Sequence, residues 1–193
     1  MSSSVRSPGR VFGPEPEESH EKPSHPAWNS DALAAMRSPD AEACGPALDA
    51  LSAAVFNDTD AKALAGDAGA LLAIFEGIGQ HPFNAAIQSK GARCLRRVCL
   101  KNPLACASAA AIGVLPAITA AIENHPDDYD LHQEVIWALS TLALTYETCI
   151  VAASRCAYDP LKRLDATREN PKTIAMATFI IKKIDEWRCG NNR

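Results

Sequence analysis

An all-α repeat stack is predicted: about three and a half units of three helices each, behind a disordered N-terminal tail. Three observations predict it. From Ala27 onward, apolar residues recur at three- and four-residue steps, and no stretch alternates apolar and polar in the strand manner. A shift of 44 residues superposes Leu51, Leu95 and Leu139, then Ala54, Val98 and Leu142, and one helix earlier Ile74 with Ile118 and Gly69 with Gly113. The prolines keep step, since Pro39, Pro82, Pro126 and Pro171 stand 43, 44 and 45 residues apart.

Residues 1–26 hold Pro8, Pro14, Pro16, Pro23 and Pro26 among Ser and Glu, with Val5, Val11 and Phe12 as their large apolar residues. So little apolar surface cannot offset the entropy of ordering the chain, and a disordered tail is predicted. The repeat domain is read as 27–188, with a partial repeat at 27–57 and full repeats at 58–101, 102–145 and 146–188; 189–193 is read as a short tail. The partial unit consists of Asp31–Met36 and Ala41–Phe56. In each full unit a short first helix (Asp60–Ala65, Leu104–Ala111, Thr148–Ser154) precedes a second (Ala70–Ile78, Leu115–Ile122, Pro160–Ala166). A proline-marked turn leads to the longest helix (Phe83–Lys101, Tyr129–Thr145, Pro171–Trp187). Pro116 and Pro160 fall in a first turn, where a missing N–H costs least. Asn102-Pro103 ends a long helix, because the residue before proline is pushed out of the α region. The inward face of the last helix is read as Ile174, Ala177, Ile181 and Ile184, and Lys182, Lys183, Asp185, Glu186 and Arg188 as a polar cap. One unit cannot bury its apolar faces alone, so neighbours must cover one another, and an incompletely capped end would self-associate.

Composition excludes several classes. A formal charge of -4 on 193 residues offers no whole-molecule attraction to nucleic acid or anionic membrane. No segment reaches the roughly 18 consecutive apolar residues of a membrane span, and the first residues lack the apolar core of a secretory signal. Cytoplasm is expected, with nucleus or cilium left open. Seven cysteines without a CxxC pair suit buried free thiols better than disulfides or zinc. No catalytic constellation, cofactor motif or metal set is present: the histidines form no HExxH pair, and Asp127-Asp128-Tyr129-Asp130 suits a helix N-terminus.

GVLPAI followed after a loop by QEVIWALSTLA, with a short helix ahead of it, resembles the armadillo repeat; the resemblance covers about 41–187 and is most specific at 102–145, with HEAT-like repeats as the near alternative. It implies a right-handed α-solenoid, an armadillo-like superhelix whose third helices line a concave groove. With Val135, Ala138, Leu139 and Leu142 inward, Trp137 and Thr141 share the opposite face. The repeat carries that pair to Arg93 and Arg97, to Asp49 and Ala53, and to Phe179 and Lys183, with Lys90 and Gln133 one turn earlier. In the importin-alpha branch an Asn stands four residues after the Trp and clamps a peptide backbone; here Thr141 holds that place, and its hydroxyl tends to bond back into its own helix. A basic nuclear-import signal is therefore not the expected guest. Two arginines, flanking lysines and two aromatics favour an extended acidic, partly aromatic protein segment. A non-enzymatic scaffold or adaptor follows, or a structural subunit of a larger assembly. The alternative is nucleic-acid binding through the basic stripe Lys90–Lys101.

Overall fold

The computed structural model describes residues 25–145 and 147–191; most of the predicted tail lies outside them. Among the described residues there are eleven helices and no strand. They are α1 (Ser30–Met36), α2 (Ala41–Ala54), α3 (Thr59–Asp67), α4 (Ala70–Gln80), α5 (Ala85–Cys99), α6 (Pro103–Ala111), α7 (Val114–Asn124), α8 (Tyr129–Thr145), α9 (Glu147–Cys156), α10 (Tyr158–Lys162) and α11 (Pro171–Asn191).

Local chemistry sets the starts of these helices. Asn29, Asp40, Asp58, Asn84 and Asn102 each accept a backbone N–H two or three residues ahead, satisfying a first-turn donor that has no helical partner. Gly69 and Gly113 turn the chain between the first and second helices at φ of 90° and 83°, a conformation that costs a side chain but not glycine. The same turn therefore recurs 44 residues later.

Packing follows three rows. The long helices α2, α5, α8 and α11 lie against one another in that order, as do α1, α4, α7 and α10, while α6 packs on α9. Apolar faces close the rows: Leu51, Leu95 and Leu139 are fully buried, as are Ile74, Val98 and Leu142. Val135, Ala138 and Leu139 point inward as the period predicts.

Four expectations change. On α11 the buried set is Thr173, Ala177, Ile180 and Ile184, so the face read through Ile174 and Ile181 is rotated by about one residue. Both sets have helical spacing, and contact with α8 and α9 selects between them. The second helix of the last unit ends at Lys162, short of Ala166, because the Asp165 carboxylate accepts the Thr167 N–H at 2.9 Å and its hydroxyl at 2.7 Å, fixing a turn. α11 runs on to Asn191, through the first residues of the segment read as a tail. Arg188, read as part of the outer cap, reaches inward instead: it donates to the Ser154 carbonyl at 2.6 Å and lies 4.0 Å from the Tyr158 ring centre.

Burial also governs the thiols. All seven cysteines are free; Cys44, Cys94, Cys99, Cys106 and Cys149 are buried, Cys156 is half-buried and Cys189 is exposed. Burial pushes Cys94 well up despite Arg97 nearby, and pushes Cys149 up to about 11. The thiolate is the nucleophile, so an inert set is expected. In the native protein, one thiol, Cys189, should react rapidly with a disulfide reagent, and the buried five only on unfolding; mass spectrometry after timed alkylation checks this.

Candidate protein-binding face

The exposed side of the long-helix row carries the residues singled out from the sequence. Lys90 on α5 pairs with Asp49 on α2 at 2.7 Å. Arg93 Nε donates to Glu134 Oε1 on α8 at 3.1 Å, and Arg96 donates to the same carboxylate at 3.5 Å. Arg96 also places its guanidinium 5.0 Å from the Trp137 ring centre. Burial lowers the pKa of Arg96, Glu134 pulls it back up, and the neighbouring arginines push it down again. A guanidinium nonetheless keeps its charge in a protein. Two cations therefore share one half-buried carboxylate.

Trp137, Leu144, Ala175, Met176 and Phe179 then wall an apolar depression of about 430 Å³ between α8 and α11, with Lys172 at its rim. Phe179 and Leu144 are each 43% exposed, more than is usual for side chains of that size. Lys183 stands 5.8 Å from the Phe179 ring and pairs with Glu186 at 2.7 Å. Gln133 is half-buried one turn before Trp137. Thr141 donates to the Trp137 carbonyl at 3.0 Å, so its hydroxyl is occupied by its own helix and cannot clamp a peptide backbone.

Arg93, Trp137, Phe179 and Lys183 are thus joined along one strip through Glu134 and Arg96. Arg97 leaves it: its guanidinium donates to the Ser52 carbonyl at 3.0 Å and lies 4.6 Å from the Phe56 ring, toward α2. The repeat sets Arg97 with Arg93 on the strip, whereas the residue that meets Trp137 is Arg96. Both spacings share a helix face with Arg93, and the partner across the gap decides: Glu134 and Trp137 of α8 take Arg96, and the Ser52 carbonyl of α2 takes Arg97. Glu134, Leu144 and Met176 were also absent from the expected set. The repeat shift does carry Glu134 onto Lys90, an opposite charge, and that was the available signal.

No group of three or more metal-ligating side chains gathers among the described residues, and no single helix there is long and apolar enough to cross a membrane. No family model matches the chain, and no solved structure matches it. Among curated proteins, Armadillo repeat-containing protein 6 of Homo sapiens is 29% identical over 112 residues, 58% of this chain. The armadillo-repeat resemblance holds. The chain spans 22% of that relative's length, so the likeness to the armadillo repeat speaks for the helical repeat and not for a whole protein's activity.

Proposed function

We propose that the chain is a non-enzymatic protein-interaction module. In this reading residues 27–188 form a right-handed armadillo-like solenoid of about three and a half repeats, and the long-helix row holds an extended segment of a partner. The observation that carries it is the apolar depression walled by Trp137, Leu144, Met176 and Phe179, adjoining two guanidiniums that share Glu134. An aromatic or large aliphatic anchor fits the depression, and acidic residues beside the anchor would take up the uncompensated positive charge. Lys172 adds a cation at the rim of the depression, while Lys183 is matched by Glu186.

Nucleic-acid binding through Lys90–Lys101 gains less support. Asp49 neutralises Lys90 and Glu134 neutralises one of Arg93 and Arg96, so the stripe keeps too few unmatched cations for a row of backbone phosphates, whereas one or two carboxylates suffice to match what is left.

Selection of peptides on the immobilised chain, then binding measured by calorimetry, tests the proposal. Selected sequences are expected to combine an aromatic anchor with Asp or Glu. Phe179→Ala should weaken such a peptide by roughly tenfold or more, the scale of an interface anchor, while the thermal midpoint moves little because the ring is exposed. Trp137→Ala should weaken the peptide by a similar factor, with a larger drop in thermal midpoint because that ring is half-buried under Arg96. Affinity unchanged in both variants would remove this face from the account.

A further inference from the structure

A ladder of side chains ties successive loops together along another edge of the molecule. His81 Nε2 meets the Ser38 carbonyl at 2.9 Å, and His125 Nε2 meets the Pro82 carbonyl at 3.2 Å. Carbonyls only accept, so each imidazole donates. Both histidines and both carbonyls stand 44 residues apart. The next member of the histidine column is Glu169, and the next carbonyl is that of Pro126. An ionised carboxylate has no N–H to give, so this rung changes character.

Glu169 turns aside to His132, one of its oxygens meeting Nδ1 of the ring, while His132 Nε2 meets the His125 carbonyl at 2.8 Å. The other oxygen, Glu169 Oε2, is buried without a hydrogen-bond partner, on a side chain only 1% exposed. A buried carboxylate oxygen left unpaired is costly, and a native fold rarely keeps one without a reason. Glu169 forms part of the wall of a cleft of about 340 Å³, together with Pro126, Tyr129, Pro160 and Leu164. Two arginines also border the cleft, but each is already matched, Arg163 by Glu123 and Arg168 by Asp127. Arg168 also covers the Tyr129 ring at 5.1 Å. The unsatisfied capacity of the cleft is therefore an acceptor at its buried wall, beside a proline and a tyrosine that offer apolar surface.

We propose that this cleft binds a small organic cation bearing N–H donors, a primary ammonium or a guanidinium, on Glu169 Oε2. It occupies the rung where the two preceding interfaces have an imidazole N–H. The carbon stem of the ligand lies along Tyr129 and Leu164. A free alkyl amine and the side-chain end of a lysine or arginine share this chemistry, and the test separates them.

The test is a titration of the isotope-labelled full chain, followed by amide chemical shifts. The probes are n-propylammonium, guanidinium, acetyl-lysine amide and tetramethylammonium chlorides, each against sodium chloride at matched ionic strength. Saturable shifts at Tyr129, Glu169 and Thr173 are expected with the N–H donors and not with tetramethylammonium, which has none. Tighter binding of acetyl-lysine amide than of propylammonium marks a peptide side chain as the source; the reverse order marks a free amine. Glu169→Gln puts an amide beside His132 and can present a donor where the acceptor stood, so it should weaken binding by at least about tenfold. If that variant does not fold, Tyr129→Ala, which leaves the carboxylate in place, should weaken propylammonium several-fold. Shifts that stay linear and match sodium chloride, or equal saturation by tetramethylammonium, would overturn the proposal.

Discussion

His132→Ala should destabilise the fold by about 3–5 kcal/mol, the scale seen when one partner of a buried charged pair is removed. His132 and Glu169 are 3% and 1% exposed at the side chain, so neither can fall back on water. Both ring nitrogens face oxygens, and the His125 carbonyl can only accept, which commits one ring proton to Nε2. Nδ1 on the other edge of the ring faces the Glu169 carboxylate. Truncation leaves Glu169 with both oxygens unpaired and the His125 carbonyl without this donor. The repeat itself supplies the control. In the preceding unit the position of His132 is Gln88, whose amide donates to the Ile78 carbonyl at 2.7 Å and the His81 carbonyl at 2.9 Å, and the position of Glu169 is His125. The double change His132→Gln with Glu169→His rebuilds the last interface on that pattern and should recover most of the loss. Urea unfolding of the single and double variants measures it. A coupling below about 0.5 kcal/mol, the level at which independent sites simply add, would mean that the pair does not act as a unit.

The same comparison shows where the sequence was sufficient. Periodicity reports on burial, and burial is repeated: Leu51, Leu95 and Leu139 occupy one column because each lies between equivalent neighbours. Asp and Asn caps fix the helix starts in a way the period does not report: Asn84 accepts the Ile87 N–H and starts α5 at Ala85, two residues after the start read at Phe83. The face of α11 was less legible. Ile180 and Ile181 are adjacent, either completes a helical stripe, and the choice is made by α8 and α9, which the local pattern does not contain. The binding strip was half legible for a related reason. A repeat shift finds Trp137, Arg93 and Phe179, because it asks which residues stand at equivalent positions. It does not find that Arg96 covers Trp137 or that Arg97 goes to Ser52, because long charged side chains choose partners across the gap between units. Nor does it find the lost rung at Glu169 until the His81 and His125 contacts are seen as a series.

Gly77→Ala separates what the repeat pattern recommends from what the packing allows. Gly77 lies within α4, where alanine is favoured over glycine by up to about 1 kcal/mol. The equivalent position one unit later is Ala121, which is buried and tolerated. Sequence reasoning therefore favours the substitution. The structure favours the opposite sign. A Cβ at Gly77 would overlap the Met36 carbonyl oxygen at the end of α1, with Cys44 Sγ 3.3 Å away beside that oxygen. That carbonyl is held in place, since the Cys44 thiol donates to it at 3.1 Å and α1 packs on both α2 and α4. Backbone cannot rotate out of the way as a side chain can. Overpacking costs about 1–3 kcal/mol and sometimes more, so the clash outweighs the propensity gain, and a net loss of about 2 kcal/mol is expected. Gly79, two residues on in the same helix, has nothing within 4 Å of the same added carbon. Gly79→Ala should accordingly stabilise by about 0.5–1 kcal/mol through the unfolded chain and the helix alone. Thermal and urea midpoints of the two variants should move in opposite directions. Two shifts of the same sign would mean that α1 does not approach α4 as closely at Gly77 as the contact with Met36 requires.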